Sequence, residues 1–355
     1  MSSLLTYIIV LTVVAFLLGY SKKVVDPAGS LGLVIAILFA GGRYYVGTDF
    51  SVYVKGFIRN SKRSWSSFFN GDTEDFLFNA INKVTYGIGG RVFTWSVIMA
   101  LTIIPIYIFI KKQFSDAVLF SVFSVFTLLC YTTAFNVSRE FIAVAIVVFG
   151  IRFVFENKFK KFLICVAVAA MFHISALLSI VLWLFWSHKR NAPLSGRKNM
   201  FLILVTAFSA IAYQELISLV SSSFSAFKRY ASLAQESGRG QNRDFYLNLA
   251  VLVVVLICYK KLKERDPRLV YMVSLLVVAN LIGITGFTHP HVKRIAYYFD
   301  VPAQMVIFGY LPSCNLRLNK QTIVFLTYVY CVARFVLTAY ILKQGNLIPY
   351  QFRLY

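Results

Sequence analysis

Ser3-Leu4-Leu5-Thr6-Tyr7-Ile8-Ile9-Val10-Leu11-Thr12-Val13-Val14-Ala15-Phe16-Leu17-Leu18-Gly19-Tyr20 runs without a single charged side chain. As an α-helix this stretch reaches about 27 Å, close to the roughly 30 Å of bilayer hydrocarbon. Lipid offers no hydrogen bonds, so a crossing backbone must satisfy its own groups, and a helix does that. Comparable runs lie near 29–42, 92–110, 117–135, 139–155, 200–220, 245–259, 269–287, 295–311 and 322–342. The strict alternation expected of barrel strands is absent. The predicted fold is all-α: a polytopic transmembrane helix bundle of about 10 full spans, forming one transmembrane domain over 1–355.

Composition agrees. The 355 residues are 59% hydrophobic and only 14% charged, against about 25% charged in soluble domains. Mean hydropathy is +0.71. The formal net charge is +22, from 36 basic and 14 acidic residues. The basic residues sit in short loops between apolar runs, which argues against a nucleic-acid face and for Lys/Arg-rich cytoplasmic loops. Cys130, Cys165, Cys258, Cys314 and Cys331 are scattered and odd in number, with neither disulfide nor zinc spacing. No basic residue precedes Lys22, so the first run reads as a retained span rather than a cleaved signal.

Phe162–Trp186 is flanked by basic clusters on both sides. A single crossing would export one of them. A re-entrant or broken helical pair near 162–186, turning at His173 and Ser175, keeps both inside. With that choice the cytoplasmic loops hold 18 Lys/Arg, against 16 in outward segments of nearly twice the length. This is the bias the positive-inside rule requires, and it places both termini outside. Two longer outward loops result, 43–91 and 221–244. Loops of such length on a membrane protein are often functional.

No Walker, GxGxxG, HExxH or GxSxG motif occurs, and Gly87-Ile88-Gly89-Gly90 reads as a turn. The polar clusters Arg43–Asp49, Asn136–Phe141 and His289–Arg294 all fall on the outward side. Each has a plain reading. Arg43 and Arg294 suit snorkelling anchors, Asp49 a helix cap, Glu140 a helix-dipole partner, and His173 a packed core residue. Together they admit a chemical reading. Arg139 at a helix start, with Arg43 and Arg294, would clamp a diphosphate. Asp49, Glu140 or His173 would serve the catalytic step, with Asp49 or Glu140 taking a proton from a sugar hydroxyl. Tyr53, Tyr297 and Tyr298 would line the glycan. Arginine would then stabilise the leaving group, with no metal and no cofactor. The acidic run Asp72-Thr73-Glu74-Asp75 is either a solvated loop or metal-binding spacing.

At these residues the chain resembles the EpsG-type family of Wzy O-antigen and exopolysaccharide polymerases. The matching stretches are Arg43-Tyr44-Tyr45-Val46-Gly47-Thr48-Asp49 with Tyr53, Ser138-Arg139-Glu140-Phe141-Ile142-Ala143, Phe172-His173-Ile174-Ser175-Ala176, Arg294–Tyr298 and Gly345-Asn346-Leu347-Ile348-Pro349-Tyr350. Glu140 departs from the family, which more often carries Gln there. The resemblance implies a bacterial inner-membrane enzyme acting at the periplasmic face. It would transfer a growing chain from undecaprenyl diphosphate to a sugar hydroxyl of an incoming lipid-linked oligosaccharide. Membrane lipids, a Wzz-like chain-length regulator and a flippase are the implied partners. Three other readings remain open at this point: a transferase using a polyprenyl monophosphate, an O-antigen ligase, and a transporter or flippase of the lipid-linked unit.

Overall fold

The computed structural model describes residues 2–21, 23–69, 75–114, 117–194, 196–212, 242–288 and 292–354. Most of the expected second outward loop, 221–244, therefore lies outside the described residues, as do His289 and His291. The described chain is almost wholly helical. Its one sheet is a two-stranded hairpin of β1 (Trp186–Ser187) and β2 (Ala192–Pro193), antiparallel with Trp186 opposite Pro193. The helices fall into two compact units: Met1–Arg152, Lys160–Leu177 and Phe308–Tyr355 in the first, Phe153–Phe159 and Leu178–Ile307 in the second.

The first unit starts with α1 (Ser2–Tyr20) and α2 (Pro27–Gly41). Asp26 caps α2, its carboxylate accepting from the Gly29 amide at 2.8 Å, with Pro27 preset at the first helical position. Then come α3 (Phe50–Lys62), the short α4 (Trp65–Phe69), α5 (Phe76–Gln113) and α6 (Leu119–Val125). A π-turn (Phe126–Cys130) and a 3₁₀ segment (Tyr131–Phe135) lead into α7 (Ser138–Phe155), followed by α8 (Phe159–Phe172).

α1 packs on α2 and α6, and both α2 and α3 pack on α5. α1 buries Tyr7, Leu11, Val14, Ala15 and Leu18, a stripe at helical spacing, while Leu5, Ile9, Phe16 and Tyr20 face outward. An apolar outer face on an apolar helix is stable in lipid and unstable in water. Gly19 lets α1 approach closely, since a Cβ there would lie 2.8 Å from the Phe120 backbone. α7 is buried on every side across Phe141–Ala145.

In the second unit, α9 (Gly196–Ile211), α10 (Arg243–Ile257), α11 (Tyr259–Arg265) and α12 (Pro267–Gly283) precede two 3₁₀ turns (Ile284–Phe287, Val292–Ala296) and α13 (Tyr297–Tyr310). α12 is its buried core helix, packed by α9, α10 and α11. Asp266 caps it, accepting from the Arg268 amide at 2.8 Å. A bend of 66° separates α10 from α11. The last helix, α14 (Lys320–Phe335), returns to the first unit and packs on α6.

Four helical segments are long and apolar enough to cross a membrane: Ser3–Tyr20, Phe76–Gln113, Pro267–Phe287 and Lys320–Ile341. The bent pair α10–α11 raises this to five among the described residues. This makes an all-helical membrane protein; among the described residues the unbroken spans do not reach the ten expected, and part of the expected span 200–220 lies outside those residues. The physical reasons are local. α2 has 15 residues. The run at 117–135 is divided by its π- and 3₁₀ turns. α7 carries Arg139, Glu140 and Arg152. α13 is short, with Asp300 and Pro302 in it.

The stretch 162–186 does break where expected. α8 ends at Phe172, and a 3₁₀ helix runs from Ile174 to Phe185. The region 43–91, by contrast, holds far more helix than a loop. Gly87–Gly90 is no free turn either, because the kink at Gly89 and Gly90 (φ +61° at Gly90) lies inside the 38-residue α5.

Candidate functional site

The segment 135–140, joining the 3₁₀ turn to α7, touches three features of the first unit. Phe135 contacts Arg43, Asn136 holds the 47–48 turn, and Arg139 meets Asp75.

Arg43 follows α2 and is 1% exposed. Its guanidinium carbon lies 3.6 Å from the Trp95 ring centroid and 4.2 Å from that of Phe135. Its nitrogens donate to the carbonyls of Ala40 and Phe135 at 3.4 Å. Burial lowers its pKa to about 10, with nearby tyrosines opposing the fall, so it remains a cation at neutral pH. The chain tail closes the outside of this socket. Tyr44 N–H donates to Gln351, Arg353 N–H to Gly42, and the Tyr350 hydroxyl to Phe39. Gly42 is required there, since a Cβ would run into the Phe352 ring. Arg43 as placed is a packed strut between the Trp95 and Phe135 rings.

Gly47 takes φ +104°, and a Cβ there would lie 2.9 Å from the Asn136 Oδ1. That oxygen accepts from the Thr48 amide at 2.7 Å and from the Thr48 hydroxyl at 3.1 Å, while Asn136 Nδ2 donates to Gly345 O at 3.2 Å. Asp49 stands at the start of α3 and makes no capping hydrogen bond; Thr48 Oγ1 donates to its Oδ1 at 3.1 Å. The Tyr53 ring packs edge-on to Trp95 at 5.5 Å and against Phe78. Glu140 is buried in the first turn of α7.

The third feature has the richest chemistry. Asp75 precedes α5 in left-handed backbone (φ +53°), a conformation Asp tolerates better than most residues. Its side chain is 2% exposed and forgoes capping α5. Oδ2 accepts from Arg139 Nη1 at 2.5 Å, and Oδ1 lies 3.5 Å from Nδ1 of His173. His173 is fixed at the end of α8, its amide donating to Ala169 O at 2.9 Å. Burial alone would raise the Asp75 pKa; the imidazole and the guanidinium outweigh it and hold the carboxyl below its usual value. Asp75 is the charged neighbour of the His173 ring on its Nδ1 side. Strained backbone, a buried carboxylate and two polarising partners together mark a functional corner.

Arg139 and His173 were both expected at a site, and the structure brings them together through Asp75. Asp75 itself was read only as part of an acidic loop run. The overlooked signal was helical spacing on either side, Phe50–Phe57–Asn60 and Phe78–Asn82–Thr85, all buried. Read as two helices, it would have placed Asp75 at a helix start. Asp75 pairs with Arg139 and His173, while Asp72, Thr73 and Glu74 of that run lie outside the described residues. No group of three His, Cys, Asp or Glu residues is placed to hold a metal ion among the described residues. Arg294, Tyr297 and Tyr298 belong to the second unit. Arg294 is half-buried on the 3₁₀ turn and Tyr298 fully buried, while Tyr297 lines a small cavity.

Comparison with curated proteins and with solved structures found no match. The family comparison did: over residues 30–352, which include Arg43, Asp75, Asn136, Arg139 and His173, the chain matches the EpsG family, and it belongs to that family of Wzy-type polymerases.

Proposed function

We propose that this membrane protein is a polysaccharide polymerase that joins undecaprenyl-diphosphate-linked oligosaccharide units at the periplasmic face of the inner membrane. The family supports the coarse activity. The observation that carries the mechanism is the Asp75 carboxylate between Arg139 and His173. His173 Nε2 takes the proton of the attacking sugar hydroxyl. The hydroxyl oxygen forms the new bond to the anomeric carbon as the bond from that carbon to the diphosphate breaks. The electron pair leaves with the diphosphate. Asp75 stabilises the imidazolium that forms, as a carboxylate does for a histidine base.

Arg139 has a third of its side chain exposed and offers a planar fork to the leaving diphosphate in place of a metal. The reaction uses two lipid-linked substrates, and Arg294 in the second unit is proposed as a separate diphosphate contact. Asp49 and Glu140 are kept as alternative proton acceptors. Tyr53, Tyr297 and Tyr298 are proposed to face the glycan. The topology that fits this reading has about ten crossings, with the shorter and broken helices completing the count and the 162–186 pair re-entering from the cytoplasm. A chain-length regulator and a flippase would work beside it.

The test is turnover by the purified chain in nanodiscs, using the lipid-linked repeat unit extracted from the source organism. The wild type should give a polymer ladder. His173→Gln should slow it by about 10²–10⁴-fold with unchanged insertion. Wild-type turnover by that variant would remove His173 as the base, and a wild type that never passes one unit would overturn the polymerase reading.

A further inference from the structure

Helix α3 and the short α4 after it carry a basic face that the mechanism does not use. We propose that this face lies on the headgroup layer of the membrane and gathers anionic phospholipids there, an inference independent of the chemistry at Asp75.

Three observations carry it. The first is position. α3 packs on α5 through the Tyr53 and Phe57 rings, which meet Trp95 at 5.5 and 4.9 Å. Trp95 lies just past the kink at Gly89 and Gly90, where the apolar run of α5 begins. α3 therefore sits beside the end of a span. The elbow between α3 and α4 is fastened to the same helix. Lys83 Nζ donates to Ser61 O at 3.2 Å and to Arg63 O at 2.6 Å, and it lies 5.3 Å from the Trp65 ring centroid. Asn60 Nδ2 donates to Asn79 Oδ1 at 2.7 Å.

The second observation is charge. Lys55, Arg59 and Lys62 are all exposed. Their spacing of four and three residues puts them on one side of the helix, away from the buried Phe50, Phe57 and Asn60. No Asp or Glu occurs from Phe50 to Phe69. Among the described residues no ion pair engages these three cations. Cations fixed on a rigid helix with no acid between them attract an anionic surface.

The third is the apolar company those cations keep. Val52, one turn before Lys55, is 71% exposed, and Ile58, one turn before Lys62, is 37% exposed. Trp65 opens α4 at 46% exposure. A soluble anion would match the cations alone. The boundary where acyl chains meet phosphates matches both, and indole is enriched there.

The test is quenching of Trp65 fluorescence in nanodiscs by phospholipids brominated near the headgroup end of the acyl chain. The Trp65 signal is the difference between the wild type and Trp65→Phe. At equal mole fraction, brominated phosphatidylglycerol should quench it in preference to brominated phosphatidylcholine by about fivefold, one cation's attraction. High salt should weaken that preference. The triple variant Lys55→Gln, Arg59→Gln, Lys62→Gln should lose the preference and keep the quenching common to both lipids. A melting curve for each variant checks folding, and Arg59→Gln alone, with a smaller loss, suffices if the triple variant is unfolded. Quenching by neither lipid lifts α3 and α4 off the membrane and overturns the proposal. So does equal quenching by both in the wild type, or a preference that survives in the folded variants. If undecaprenyl diphosphate displaces phosphatidylglycerol at a small fraction of its amount, the stripe is a substrate site and the phospholipid reading falls.

Discussion

Arg43 packs against the six-residue segment 135–140 and Arg139 belongs to it, and the two have opposite surroundings. Arg43 is sealed between the faces of Trp95 and Phe135, with only carbonyls as hydrogen-bond acceptors. Arg139 keeps a third of its side chain exposed and grips a carboxylate that also touches a histidine. The first cation is held by π faces and backbone carbonyls, with its buried Nε making no hydrogen bond. The second belongs to a group of three ionisable side chains that meet at one carboxylate. The lesson is that residue type and motif place an arginine, while the polarity of what closes over it decides between strut and reagent.

The sharpest way to test that contrast is to neutralise Asp75. Asp75→Asn keeps the shape but removes the charge that holds Arg139 and orients His173. Polymer formation should fall by about 10²–10⁴-fold, measured as initial rate in nanodiscs. The same variant has a pH signature. The folded Asp75 holds its proton less tightly than an ordinary carboxyl. Its ion pair therefore stabilises the fold above about pH 4 and is lost as pH falls through the lower folded value. Melting temperature of the wild type should drop across that acidic window, and that of Asp75→Asn should lack this component. Parallel curves would mean that the carboxylate is not held as drawn.

Arg43 should break differently. Arg43→Ala removes a side chain packed on two rings and should destabilise the protein by about 2–4 kcal/mol, read by thermal melting in detergent. Arg43→Lys should recover part of this, because an ammonium lacks the flat face that fills the slot between Trp95 and Phe135. In folded Arg43→Lys, turnover per molecule should stay within a few-fold of the wild type. A large loss of turnover in well-folded Arg43→Lys would instead return Arg43 to the substrate and erase the distinction from Arg139.

Much of this architecture was legible in the chain. The uncharged run at 3–20 and the break at His173 follow from hydropathy and the placing of basic clusters. Span count was harder, because a π-turn at 126–130 interrupts a helix without any proline or charge to announce it. At the site, motif spacing identified Arg139 and His173. It could not find Asp75, because a carboxylate 64 residues from its arginine is joined to it only by tertiary packing. The same limit explains Arg43. Nothing near it in sequence says that Trp95, Phe135 and the tail at 350–353 will close over it.

The mildest perturbation acts on the residue between the two arginines. Asn136 accepts from Thr48 and donates to Gly345, so it ties the Gly47–Asp49 turn and the tail to the start of α7. Asn136→Ala deletes three hydrogen bonds, all at a half-exposed position where water replaces part of what is lost. The net cost should be about 1–2 kcal/mol. Asn136→Asp should cost less, because its oxygen still accepts from Thr48 and only the bond to Gly345 goes. If the turn serves only to close the Arg43 socket, both variants should lower the melting temperature and leave the initial rate of polymerisation nearly unchanged. If Asp49 takes part in proton transfer, loosening its turn should lower the rate in Asn136→Ala before the melt moves appreciably. The ratio of the two effects therefore decides whether the 43–49 segment sides with the strut or with the reagent.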